Sequence, residues 1–527
     1  MIRMSSRRLP LTQALRLQGP SAIWFKPALS VVVSTAPPNL LLLALGRLDL
    51  ALYTMAGSLC ALYGHQRPYA ARARVLTGVV LGMTAGLAVA LLASALAPGP
   101  VVLVLVGALL AAAQKTVCES TRVGPPGNVV VTFISSAALF IPQTPGQVPA
   151  HLGLTLAAGA WSWLVCMAPG VLRPHGPERR AVAAALNAAA DLADQGHAPA
   201  HPALHTAWQA LRSPGVRPDT TRRALENLLL SAETADADPG RLRVWAQALR
   251  GTGPVPQAET THPAVPYPRH ARIPFKHLAP IASRTALGCA LAGLAALSLG
   301  VGRPYWALVT AASLYQANVT LTWNRSVQRV VGNLLGVLLF AALTPLTHLH
   351  PVTLVLCCLA CSFGAEALIA RNYWLGSVCV TPMALLITEF THLQDPGTLI
   401  TQRVLDTLVG ALAGLAAAVL VTNRRAGDRV HDALTAVENA GAHTEHLLTH
   451  PAPHALPAAR RALALALTDL RATTAAAQGE WWQRPFPAER LALAEQAGHR
   501  TLAAAVRHRA VAPLKQDRHG TTEDTRP

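Results

Sequence analysis

Charge is scarce in this chain. Only 13% of its 527 residues are Asp, Glu, Lys or Arg, against about 25% in ordinary soluble domains. Lysine is confined to Lys26, Lys115, Lys276 and Lys515, so arginine carries the basic charge, a bias that fits a GC-rich bacterial genome. The phosphate loop G-x-x-x-x-G-K-[ST], the nucleophile elbow G-x-S-x-G and the zinc motif H-E-x-x-H are all missing. Their absence argues against ATP-driven work by this chain alone and against the matching hydrolases, so we expect neither an enzyme nor a cofactor. A disulfide framework belongs to small secreted domains, whereas the eight cysteines here fall within or beside apolar runs. Cys358 and Cys361 form a C-x-x-C inside one such run, where packing is the expected role.

What the chain has instead is apolar length. It is 52% hydrophobic, with a mean hydropathy of +0.34. Runs at 75–97, 101–113, 285–301, 330–346 and 404–422 approach the roughly 20 residues that cross a hydrocarbon core of about 30 Å. Backbone in lipid must satisfy its own hydrogen bonds, so such runs become helices. The fold class expected is all-α and polytopic, with about twelve spans in two six-helix halves. They lie near 25–46, 48–64, 74–97, 100–117, 125–142, 152–172, 279–300, 304–321, 328–346, 352–370, 373–390 and 399–422.

The formal charge of +18 is spread as a membrane topology would spread it, not gathered on one module for nucleic acid. With the N-terminus in the cytoplasm, Arg7, Arg8, Arg16, Lys26, Arg67, Arg72, Arg74, Lys115, Arg122, Arg173, Arg179 and Arg180 fall inside. So do Arg269, Arg272, Lys276, Arg325, Arg371, Arg424 and Arg425, while the outer loops hold little beyond Arg47 and Arg303. This is the positive-inside pattern of a plasma-membrane protein with both termini cytoplasmic. No small-residue cleavage site follows the first apolar run, which reads as a span and not a signal peptide.

The sequence repeats itself once. "AGSLCALYGHQRPYAARARVLTGVVLG" (56–82) lies over "AASLYQANVTLTWNRSVQRVVGNLLG" (311–336), with Arg74 falling on Arg329. The expected organisation is a membrane half at 1–173, a cytoplasmic helical insert with a Pro-rich linker at 174–277, a second membrane half at 278–423, and a cytoplasmic helical region with a polar tail at 424–527. Parallel repeats commonly place a translocation path at their interface.

The second half carries "YWALVTAASLYQ", "RVVGNLLG", "RNYWLGSVCVTPMALL" and "RVLDTLVGALAG" in that order. It resembles the fusaric acid resistance family, also called the aromatic-acid exporter or integral membrane bound transporter family. The resemblance covers about 279–422 and extends into the degenerate first half. It implies efflux of aromatic or other organic carboxylic acids, with a small organic anion as the substrate. A non-transporting scaffold that binds a partner through its cytoplasmic helices remains the alternative, and a homo-oligomer is possible under either reading.

Ionisable groups inside a membrane are costly and default to functional candidates. Arg403 and Asp406 share a helix face at i, i+3. They fit an anion site coupled to a protonatable acid, or an ion pair that fixes packing. Arg329 fits a snorkelling cation at a helix end, or the partner of Arg74 at a symmetric cytoplasmic entry. Glu366 fits a proton carrier or the partner of a nearby arginine. Tyr305 and Trp306, beside Arg303, fit interfacial anchors or the mouth of a substrate path. Gly332/Gly336 and Gly410/Gly414 are close-packing steps. His443, His446 and His450 share a helix face, for which a solvated surface is the expected role.

Overall fold

The computed structural model describes residues 14–17, 19, 24–96, 99–195, 200–211, 219–232, 238–258, 275–421, 426–450, 455–480 and 488–511. The second part of the Pro-rich linker, the polar tail and the expected inside charges at Arg7, Arg8, Arg269, Arg272, Arg424 and Arg425 lie outside the described residues. Every regular element among the described residues is helical.

The first membrane half contains α1 (Phe25–Ala44), α2 (Ala51–Ser58, continued by a 3-10 turn Leu59–Leu62), α3 (Tyr69–Leu96), α4 (Pro100–Thr121), α5 (Val129–Leu139) and α6 (Val148–Leu172). Four helices follow, α7 (Gly176–Gln195), α8 (Ala200–Leu211), α9 (Thr220–Ala232) and α10 (Pro239–Arg250). The second membrane half contains α11 (Phe275–Ser298), α12 (Pro304–Leu314), α13 (Val319–Thr347), α14 (Pro351–Ile369), α15 (Tyr373–Glu389) and α16 (Pro396–Leu420). The described chain closes with α17 (Ala426–Thr449), α18 (Leu456–Gln478) and α19 (Ala488–Val511).

Among the described residues eight helices, α1, α3, α4, α6, α11, α13, α14 and α16, are long and apolar enough to cross a membrane. The stretches Leu48–Leu62, Val129–Leu139 and Tyr373–Glu389 are apolar but shorter, and α12 has only 11 residues. Both halves therefore run long, short, long, long, short, long. Their packing has the same order as well. The second helix packs on the sixth and the third on the fifth in each half, and the first helix of each half packs on the fourth of the other, α1 on α14 and α11 on α4.

Glycine permits the closest of these approaches. A Cβ on Gly57 would lie 2.3 Å from the Thr155 carbonyl oxygen, and one on Gly410 would lie 2.4 Å from that of Ala307. In each half the short second helix thus meets the sixth backbone to backbone, as small residues in membrane helices allow. Gly332 and Gly336 admit α15 in the same way, against Trp374, Ser377 and Thr381. Every residue of α2 and α12 is buried. That burial lets the chain leave helical geometry at Tyr63 and Tyr315, where both are extended, because irregular backbone at membrane depth survives only inside protein.

Helices α7–α10 bury their own core around Leu186, Trp208, Leu225 and Leu229, and α17–α19 bury another around Leu434, Leu463 and Leu467. Arg461 lies 4.6 Å over the Trp208 ring and joins the two. The end of α18 is clamped to the second membrane half. Arg284 donates to both oxygens of Glu480, at 3.0 and 2.7 Å, and to the Val421 carbonyl at 2.7 Å. Thr320 donates to the Gly479 carbonyl beside it. These contacts define a domain-bearing end of the helical bundle.

Candidate functional site

Asp395 caps α16 by accepting from the amide and hydroxyl of Thr398, each at 2.7 Å. The hydroxyl bond is the main reason its carboxyl stays below the usual carboxylate range. With that start, Leu399, Arg403, Asp406, Thr407 and Gly410 fall on the buried face of α16. Arg403 and Asp406 stand roughly 10 and 15 Å along the helix, at about 1.5 Å per residue. They are 1% and 0% exposed.

Helix α12 supplies the facing surface. The guanidinium carbons of Arg403 and Arg303 each lie 5.0 Å from the centre of the Trp306 ring. Tyr305 meets Trp306 edge-on at 5.7 Å and stacks on Phe140 of the first half at 6.0 Å. Arg303 donates to Gln394. Tyr305 and Trp306 are 8% and 0% exposed, which corrects the interfacial-anchor expectation. Aromatics beside a charge resemble a headgroup belt in sequence, but neighbours from both halves enclose this short helix.

Arg403 and Asp406 lie within electrostatic range of each other but form no direct hydrogen-bonded ion pair. Both carboxyl oxygens of Asp406, Nε and Nη1 of Arg403 and the Trp306 Nε1 are buried with no hydrogen-bond partner. Buried charge without a partner is costly and rare. The group is chemically a cation over an aromatic surface, with an acid one turn away.

Arg329 is 3% exposed and about 15 Å along α13 by helix rise, so it does not snorkel at a helix end. Its Nη1 donates to the Tyr373 hydroxyl at 3.1 Å, and it lies within electrostatic range of Arg403. Arg74 is exposed whereas Arg329 is buried, so the two do not share an environment. Glu366 stands apart on α14, partly buried, within electrostatic range of Tyr63 in the first half. No arginine among the described residues pairs with it.

Arg303, Arg325 and Tyr373 were not among the sequence candidates. Arg325 lies one turn before Arg329, and Tyr373 opens "YWLG"; the i, i+4 arginine spacing was the available signal. The first half also has an aromatic contact between its second and sixth helices. Tyr53 is the third residue of α2, as Trp306 is of α12, and His151 of α6 stacks on it at 3.9 Å. In the C-terminal helices His446 and His450 stack at 4.5 Å, and no group of three possible metal ligands occurs among the described residues.

These features define a multi-pass helical membrane protein with a charged site inside its second half. Residues 290–417, which hold α12–α15 and most of α16, match the family described as fusaric acid resistance protein-like. The chain thus carries a fusaric acid resistance protein-like domain, as the motif order implied. It is also 25% identical over 518 residues to "Uncharacterized membrane protein YvaC" of Bacillus subtilis (strain 168), covering 84% of this chain and 80% of that protein. No solved structure matches.

Proposed function

We propose that the protein exports organic carboxylates, with aromatic acids the favoured class. Arg403 binds the carboxylate, Trp306 and Tyr305 form the aromatic wall, and Asp406 links movement to protons. The unpartnered state of Arg403 and Asp406 carries this reading. Two opposite charges on one helix face could neutralise each other, yet each is left for another partner. An aromatic carboxylate offers both an oxyanion for a guanidinium and a ring for an aromatic surface. The fusaric acid resistance-like match over these helices supports the same class.

The short helices, with the chain that continues each of them, complete twelve crossings in two repeats. Their matching order and reciprocal packing support a duplication, and interrupted helices at a repeat interface commonly frame a substrate site. The domain-bearing end faces the cytoplasm, as the inside charges expect, and the bilayer is a bacterial plasma membrane. With no nucleotide motif, the energy source is an ion or proton gradient. The test is uptake of radiolabelled benzoate by proteoliposomes holding purified protein. Flux should follow an imposed pH gradient, stop with a protonophore and ignore ATP. Flux that needs ATP overturns the coupling, and absence of flux under every gradient supports the scaffold alternative.

A further inference from the structure

We infer that the protein holds a second, inner site for a small organic carboxylate, formed by Arg325, Arg329 and Tyr373. The ligand class rests on the transport reading above; the geometry does not. The guanidinium carbon of Arg325 lies 3.6 Å over the centre of the Tyr373 ring. From one turn further along α13, Arg329 donates to the hydroxyl of the same tyrosine. Two cations at i, i+4 repel, and among the described residues no carboxylate pairs with either. Nε of both is buried without a partner. Arg325 meets the ring face and Arg329 the hydroxyl, and neither contact uses the Nε of its arginine. Paired planar forks with free N–H groups are what a carboxylate oxyanion requires.

The surroundings bound this site on two sides. Toward the domain-bearing end a short piece of the N-terminal segment is pinned. Gln328 and Asn372 donate to the Ala14 carbonyl, Trp374 donates to that of Leu15, and Asn372 also donates to that of Arg16. Gln328 and Asn372 are the chain neighbours of Arg329 and Tyr373, so the strap crosses beside the site. Toward the other end, one turn past Arg329, Asn333 donates to the Thr407 hydroxyl at 2.8 Å and accepts from that of Thr381 at 2.5 Å. Thr407 adjoins Asp406. This amide–threonine latch stands between the inner arginines and the Arg403 site. Two stations in series let an anion be held and still leave, as repeated sites do in channels.

The test counts carboxylates. Full-length protein in phosphatidylcholine nanodiscs is titrated with radiolabelled benzoate. Wild type should bind two per chain, the Arg325→Gln/Arg329→Gln variant one, and Arg403→Gln the other one. Should the double Gln variant fail to fold, Arg325→Lys/Arg329→Lys keeps the charge without the fork, and its inner affinity should fall about tenfold or more. Unchanged stoichiometry and affinity in both inner variants overturns the inference. That result alongside loss of one benzoate in Arg403→Gln leaves the central transport site standing, so the two failures are distinguishable. Repeating the titration with phosphatidylglycerol in the disc separates the ligand sources. Two benzoates in both discs identifies a small carboxylate, while loss of the inner one with the anionic lipid assigns the site to lipid phosphate and overturns it.

Discussion

Arg403 on α16 holds its guanidinium carbon 5.0 Å from the ring centre of Trp306 on α12. The relationship needs two helices whose backbones nearly touch, and Gly410, two turns beyond Arg403, is where they do. A cation over a tryptophan face is worth about 0.5–2 kcal/mol, more when desolvated. That attraction holds the Arg403 guanidinium against the α12 surface.

Gly410→Ala should therefore break the site from a distance. The added Cβ would meet the Ala307 carbonyl oxygen at 2.4 Å and the Thr310 Cβ at 2.7 Å, and backbone cannot rotate away. Overpacking of this kind costs about 1–3 kcal/mol. Gly78→Ala, which meets nothing within 4 Å, should change stability by no more than about 1 kcal/mol and favour the helix. Thermal unfolding of the two variants in detergent checks this, and equal effects would show that α12 and α16 do not meet so closely.

The clamp between Arg284 and Glu480 should behave as a buried ion pair. Their side chains are 2% and 0% exposed. Glu480→Gln leaves Arg284 uncompensated and should cost about 3–5 kcal/mol, releasing α17–α19 to limited proteolysis. Replacing both residues with Met and Leu should be milder than either single change. A single variant as resistant to protease as wild type would mean the domain is held elsewhere.

Orientation is open to direct labelling. Val244 on α10 is 65% exposed and Gln147 lies exposed at the opposite end of the bundle. In intact cells carrying a cysteine-free background, a membrane-impermeant thiol reagent should label Gln147→Cys and miss Val244→Cys. The reverse pattern would invert the topology.

The eight long helices were legible because continuous apolar runs leave one option in lipid. The residues that line the site were legible only as types. Arg403 and Asp406 stood out as charges within an apolar run, but whether they pair depends on side-chain direction, which spacing does not reveal. Tyr305 and Trp306 resembled a membrane belt because local pattern records nothing of the neighbours that bury α12. Arg74 and Arg329 matched by offset, yet one is exposed and the other 3% exposed. Sequence overlay aligns positions along a chain and not helix faces. Glu366 shared the cost of membrane burial with Asp406, but it lies on α14, apart from the α12–α16 contact.

In the function proposed above, Arg403 and Asp406 serve an anion and a proton, and not each other. A double-mutant cycle with two readouts tests it, thermal stability in detergent and benzoate flux in proteoliposomes. Arg403→Gln should lower flux by about tenfold or more, and Asp406→Asn should flatten its pH dependence. The double variant should fold and insert yet carry no flux, with stability effects additive to within about 0.5 kcal/mol. A double variant with normal flux, or one clearly more stable than either single, would show that the two charges are a packing pair and contradict the account.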